Sequence, residues 1–362
     1  MRFVISLLAL RAGRIGGTEN WLRSLLAALP GQMGGDEVVV VIGRDTAQSV
    51  QTPGLERVIV DAGDGALVAR RAAEAFSSWQ DRALEKVFGD LRPDAVLFPQ
   101  ISLFPKMVSA PAVATVGDVQ HLASPRSIRF ADRVFRRAIY PYSLSKAASV
   151  IALSETTRDD LVSLAGLAHE KVCVIRPGCP PARDRGTIAL PPVSGPYLYY
   201  PAVTHPHKGH VELLDAFSYL VIARGPLRLV LTGQKTSHWR RIRAHAKMLG
   251  IAHRVLHLGY VTDDVVDSLY AHAAAVVFPS RFEGFGLPLI EAASLGARVV
   301  ASDLAVFDEN GTEGVQRIDF REPEQLRAAL ASTTRARIAP GAWTRADEAR
   351  ATLAALRQAA SR

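Results

Sequence analysis

The chain has 362 residues, 48% of them hydrophobic and 22% charged, which is too long for one ordinary domain and suits two, each able to bury its own core. Its two cysteines, Cys173 and Cys179 in VCVIRPGCPP, fit neither a zinc knuckle nor a CxxC redox pair, and read as reduced thiols of a cytoplasmic protein. The net charge of +8 asks for an anionic partner, but no nucleic-acid recognition motif accompanies it, and no apolar run reaches the roughly 20 residues that span a bilayer.

The predicted elements alternate between apolar strands and amphipathic helices, the signature of α/β domains with parallel sheets. RFVISLLAL at the N-terminus is a buried first strand rather than a signal peptide: the run is short, Arg11 and Arg14 follow at once, and no small-x-small cleavage site appears. The glycine turn GRIGGTE and the helix NWLRSLLAALP come next. EVVVVIG, AVLFPQ, PAVATVGD and SVIALS follow as strands. Between the last two lies PRSIRFADRVFRRAIYPYSLSKAAS, where Arg126, Arg129, Arg133, Arg136, Arg137 and Lys146 face one acid, Asp132, with Phe130, Phe135, Tyr140 and Tyr142 interleaved. That composition over 126–146 fits a helix lying on an anionic membrane surface, and equally a solvated helix whose aromatics face the core.

Residues 180–196 hold five prolines and no periodic pattern, so they read as a linker after an N-terminal domain of residues 1–179. A second α/β set occupies 197–340: strand YLYYPAV, helix VELLDAFSYLVIA, strand RLVLTG, helix RRIRAHAKMLG, strand RVLHLGY, helix DVVDSLYAHA, strand AVVFPS, helix LIEAASLG and strand RVVASD. Residues 341–362 form a final amphipathic helix. Two Rossmann-like domains in tandem place the carboxyl ends of their sheets across a central cleft, and ligands of open α/β sheets bind at those strand ends.

The densest constellation is SRFEGFGLPLIEAASLGARVVASD, 280–303. It opens with a turn at the carboxyl end of a strand. Gly284 and Gly286 let backbone approach a ligand, and Pro288 starts the next helix. The amides of Phe285, Gly286 and Leu287 and the helix N-terminus favour an anion, and Arg281 stands beside them. A carboxylate does not belong next to a phosphate, so Glu283 and Glu291 suit hydroxyl groups to either side of it. Glu291, one turn into the helix, suits a ribose. In PAVTHPHKGHVELLDAF, Lys208 sits between strand and helix, placed to meet a diphosphate as a point charge. His205, His207 and His210 have no nearby acid or thiol to complete a metal set.

EGFGLPLIEAASLGARVVASD, with Glu283 and Glu291 in E-x7-E spacing, resembles the signature of the retaining glycosyltransferases of family four, which have the two-domain GT-B fold. LGYV at 258–261, HKGH at 207–210 and VIRPG at 174–178 extend the resemblance over most of the C-terminal half; the N-terminal half matches more loosely, through the glycine turn and DVQH. The resemblance implies metal-independent, retaining transfer from a nucleotide-diphosphate sugar, with Glu291 on the ribose hydroxyls, Glu283 on the transferred sugar, and Lys208 on the diphosphate. Gly233 and Val261 join Arg281, Phe285, Gly286 and Leu287 in the donor site it implies, and Gly16 and Gly17 belong to a loop that closes over the diphosphate. Asp118 and His121 in TVGDVQHLASP stand where relatives contact the donor sugar, but Gly117 holds the place of a histidine often found before this aspartate, so His121 fits a loop-bonding role equally well. The arginine that often precedes Lys208 is also absent. The DVQH and HPHKGH variants resemble relatives that often transfer mannose from GDP-mannose, with UDP-glucose or another hexose donor next. A glycan or lipid-linked sugar is the expected acceptor, and the protein is expected in the cytoplasm or on the inner face of the membrane, with the terminal helix packed back on the N-terminal domain. Two other classes remain: an NAD-dependent oxidoreductase with Asp45 as the ribose acid, disfavoured by the lack of GxGxxG, and a non-catalytic nucleotide-sugar binder.

Overall fold

Seven short runs of mostly aliphatic residues pair in parallel: β1 Arg2–Ser6, β2 Glu37–Gly43, β3 Glu56–Val60, β4 Ala95–Phe98, β5 Ala112–Val116, β6 Ser149–Ala152 and β7 Val172–Val174. Their order is β3-β2-β1-β4-β5-β6-β7. The computed structural model describes residues 1–10, 17–61, 79–106, 108–125, 128, 130–223 and 225–362. Central strands such as β2 and β4 are buried almost throughout, as expected where helices cover both faces of a parallel sheet. The edge strands β3 and β7 are only partly buried, so ERVIV and VCV lack the continuous apolar run that marks their neighbours, and the sequence reading passed over both.

A second parallel sheet contains β8 Tyr197–Pro201, β9 Arg228–Thr232, β10 Val255–His257, β11 Ala275–Phe278, β12 Val299–Ser302 and, beyond a short β13 at Thr312–Glu313, β14 Gln316–Ile318. Its order is β10-β9-β8-β11-β12-β14, and β13 pairs antiparallel with β15 Arg337–Ile338. The chain divides into two compact units, Met1–Gly178 with Trp343–Arg362, and Cys179–Ala342. Residues 180–196 are packed into the second unit: the Arg183 amide donates to the Ser294 carbonyl at 2.8 Å and Val193 is buried in the core.

The second core is built on tyrosines. Tyr197, Tyr199, Tyr200 and Tyr270 are fully buried, and a buried phenol needs a hydrogen-bond partner. Tyr197 donates to the Leu269 carbonyl at 3.1 Å, Tyr199 pairs with Thr232 at 2.8 Å, Tyr200 donates to the Lys208 carbonyl at 2.8 Å, and Tyr270 donates to Glu291 at 3.2 Å. No helix among the described residues is long and apolar enough to cross a membrane.

In the first unit the helix Arg345–Ala360 is capped by Thr344 and Asp347 in a reciprocal capping box, and it packs Leu353 and Leu356 into the core beside the helix Gly17–Ala28. On its buried face, Glu348 accepts hydrogen bonds from the Trp21 indole and, at 2.7 Å, from the Gly178 amide. Gly178 is required there, because a Cβ would overlap the Arg345 backbone. Burial pushes the Glu348 carboxyl from 4.5 up to about 7, against the pull of its two donors. The folded state therefore holds a proton that the unfolded chain releases, so this contribution to stability is complete below the unfolded value and is lost as the pH rises through 7. Thermal unfolding of the wild type and of Glu348→Gln over pH 5 to 8 checks it. The wild type should lose on the order of 2 kcal/mol relative to the variant across that range, and a difference independent of pH would refute the assignment.

Candidate functional site

In the second sheet the strand order reverses between β8 and β11, and that reversal opens a crevice at the carboxyl ends of the two strands. From β8 the chain enters the short 3₁₀ turn Pro206–Lys208 and then the helix His210–Ala223. Gly209 joins them at φ 66°, and a Cβ there would run into the Pro279 carbonyl after β11. Only glycine lets the two loops come so close. Their contact sets the site's main pair, Lys208 Nζ to Glu283 Oε1 at 2.6 Å, with side chains 21% and 15% exposed.

Arg281 braces this arrangement. Its amide donates to the His207 carbonyl at 2.8 Å, Nη2 donates to the Pro206 carbonyl at 2.6 Å, and Nη1 lies 3.4 Å from Glu212. Arg281, expected beside the anion nest, has its guanidinium on the turn that carries Lys208, with a carbonyl and a carboxylate as partners.

The helix Leu287–Ser294 starts at Gly286, whose φ of 88° is left-handed and whose Cβ, if present, would lie 2.6 Å from the Phe307 ring. The first N–H groups of a helix have no partner within it, and Pro288 removes one donor from that turn. Phe285 is buried against Cys179 and Ile290, which anchors the turn below the amides of Gly286 and Leu287. Glu291 is half-buried on the same helix, its carboxylate accepting the Tyr270 hydroxyl. Gly233 lies at φ 107°, too close to the Ala202 backbone for a side chain, and its amide donates to the Gly259 carbonyl at 2.8 Å. Val261 follows that loop, half-exposed beside an exposed Tyr260. Lys208, Gly233, Val261, Arg281, Glu283, Phe285, Gly286, Leu287 and Glu291 thus all fall on segments that follow β8 to β11.

His207 and His210, near Lys208, are neutral. Burial, with Lys208 and other nearby basic groups adding to it, lowers His207 to about 2 and His210 to about 3. The buried His210 ring packs 4.9 Å from Tyr200. Among the described residues no group of three His, Cys, Asp or Glu side chains is placed to hold a metal ion.

The N-terminal expectations divide. Gly16 lies outside the described residues, and Gly17 opens the helix Gly17–Ala28. Asp118 accepts the Gln120 amide at 2.9 Å, starting the short helix Gln120–Ala123. His121 in that helix is 4% exposed, edge-on to Tyr140 at 4.9 Å. Burial, with Arg136 adding to it, lowers it to about 4, so it is a neutral ring under an aromatic cover. Sequence reasoning missed Tyr200, Tyr270 and Phe307, which support the donor-side loops from below. Tyr200 has one advance signal, the aromatic-rich strand YLYY, where an aliphatic one would pack as well; Tyr270 and Phe307 have none in that strand.

Two family models match the chain: "Glycosyltransferase Family 4" over residues 15–183 and "Glycosyl transferases group 1" over 189–344. The serotype-specific mannosyltransferase WbdA of Escherichia coli is 31% identical over 129 residues, 34% of this chain and 16% of WbdA. The O-antigen chain mannosyltransferase RfbU of Salmonella typhimurium is 24% identical over 216 residues, 60% of this chain and 59% of RfbU. The chain therefore spans only part of the length of these relatives. The crystal structure of HepE from Anabaena in complex with UDP and glucose superposes with a TM-score of 0.65 at 18% identity, covering 100% of this chain and 97% of HepE, which is a likeness of fold. With its two parallel-sheet units and with family models spanning nearly all of 15–344, the chain belongs to the family-4 glycosyltransferases of GT-B fold.

Proposed function

We propose that the chain is a retaining, metal-independent transferase that moves a hexose from a nucleotide-diphosphate sugar to a glycan or lipid-linked sugar. The observation that carries this reading is the Lys208–Glu283 pair at 2.6 Å, set where the strand order reverses and beside the start of the helix Leu287–Ser294. A cation and a helix N-terminus together suit a diphosphate, and a carboxylate at the same point suits the hydroxyls of the sugar attached to it.

In this reading the diphosphate lies against Lys208 and the amides of Phe285, Gly286 and Leu287, which stabilise the charge it gains as the glycosidic bond breaks. Glu291 holds the ribose hydroxyls and Glu283 the transferred sugar. The acceptor oxygen attacks on the face that the diphosphate leaves, and its proton passes to the departing phosphate oxygen. Mannose from GDP-mannose is the favoured donor, supported by the mannosyltransferase relatives; UDP-glucose is next, supported by the fold likeness to HepE, solved with UDP and glucose. Arg137, Val134 and Lys146 are exposed on the helix Phe130–Lys146 and suit an anionic lipid surface, whereas Tyr140 turns inward to His121.

Thermal stabilisation and slow donor hydrolysis, followed with GDP-, UDP- and ADP-sugars and with NAD, test the reading. A response to at least one nucleotide sugar is expected, and a response to NAD alone would overturn it. Glu291→Ala should weaken nucleotide binding by about tenfold or more, the loss of hydrogen bonds to a charged acceptor. Glu283→Gln frees Lys208 from its counter-ion, so nucleoside diphosphate should bind equally well or tighter by a few-fold while kcat falls about a hundredfold. Equal small effects of both substitutions would contradict the two roles.

A further inference from the structure

The second unit carries another concavity at the carboxyl ends of its strands, on the β12 and β14 side of the order reversal. It encloses about 660 Å³ and is walled by none of Lys208, Glu283, Glu291 or the anion-facing amides. Clefts of this size hold small ligands. Its charged groups are three arginines and three acids: Arg281, Arg317, Arg321, Glu212, Asp303 and Asp319.

The way these charges are paired decides what the cavity can hold. Arg321 grips Asp319 through Nε at 2.9 Å and Nη2 at 2.6 Å, which holds that carboxyl at about 2. Arg281 reaches Glu212 at 3.4 Å, and Arg317 reaches Asp308 at 3.2 Å while also feeling the charge of Asp303. Each guanidinium already has a carboxylate neighbour, so an added phosphate would have to displace one, and an added cation would meet the arginines. A guanidinium offers five N–H donors and a carboxylate about four lone-pair sites, so pairing leaves unused donors beside unused acceptors. Vicinal hydroxyls, each both donor and acceptor, are the groups that use both kinds. Ser302 extends the same alternation, while Leu304 and Phe320 give an apolar wall for the C–H face of a sugar ring.

We propose that this cavity is a carbohydrate subsite that holds non-reacting sugar units of a neutral glycan. It rests on the transferase reading, and it places a glycan site on the donor-side unit only two residues from Glu283, through Arg281. Because Arg281 also carries the turn of Lys208, sugar units in the cavity lie beside the machinery they are extended by.

Saturation-transfer NMR with α-linked mannotriose and with maltotriose tests it on the full chain. The comparison protein is Asp303→Ala with Arg321→Ala, both exposed positions, and GDP and UDP binding is measured in parallel. At least one triose should bind the wild type and bind the double variant about tenfold more weakly, with nucleotide affinity changed less than about twofold. Equal binding of trioses by both proteins, or an Arg321-dependent site for inorganic pyrophosphate in their place, would overturn the subsite. Nucleotide binding without binding of either triose would overturn the subsite and leave the transferase reading standing. Absence of nucleotide binding would remove both.

Discussion

The candidate site is braced from below by a buried hydroxyl. Tyr200, next to the last residue of β8, lies inside the core, where burial raises its phenol well above the ordinary range and keeps it protonated. It has one proton to give and gives it to the Lys208 carbonyl at 2.8 Å, while its oxygen lies 3.1 Å from the Ser280 hydroxyl. Lys208 and Ser280 belong to the two loops that part where the strand order reverses. A single phenol thus sets the separation of the loops that bring Lys208 to Glu283. The close approach at Gly209 and the Arg281 contacts act at the same place, so three independent features hold one geometry. Tyr270 does the equivalent for Glu291 from the adjacent helix, fixing the carboxylate from the core side.

The electrostatics of the site are more restrained than the net charge of +8 suggests. His207 is half-buried, His210 is buried, and both are neutral, so they add shape and no positive charge beside Lys208. The lysine itself is balanced by Glu283. On the proposed reading, a diphosphate would meet one ammonium and the N–H groups of a helix start, and would compete with a carboxylate for the ammonium. Such competition would lower anion affinity while holding Glu283 in place, which suits release of a nucleoside diphosphate after each turnover.

Much of the architecture was legible because central parallel strands are buried on both faces and must be apolar throughout: EVVVVIG, AVLF and AVVF declare themselves. Edge strands are not so constrained, and ERVIV and VCV passed unnoticed for that reason. The donor turn was legible because its glycines are demanded by geometry, most clearly at Gly286, where Phe307 leaves no room for a methyl group. The supporting tyrosines were not legible, since hydropathy scores Tyr200 as another strand residue and is blind to where its oxygen points. His121 shows the same limit from the other side. A histidine after a strand fits a ligand contact and a loop-bonding role equally well, and its packing against Tyr140 comes from a helix that starts nine residues later, which local sequence does not reveal. Glu348 is a third case, an ordinary acid by sequence that two distant donors and burial make into a core residue.

Phe307 also joins the two concavities of the second unit. One edge of its ring fills the space under Gly286, and the Arg317 guanidinium lies 4.9 Å from its centre. Arg317 in turn forms part of the wall of the polar cavity. The backbone at the start of the helix Leu287–Ser294 and the Arg317 side chain at the cavity are therefore packed against the same ring. Close-packed interiors transmit displacement rather than absorb it. A change in either concavity that moves Phe307 must be felt in the other, and the helix start is the part with least room to yield, because Gly286 has no alternative residue and Pro288 fixes the next turn. The glycine-rich turn is held stiff from beneath, and the glutamates on either side of it inherit that stiffness.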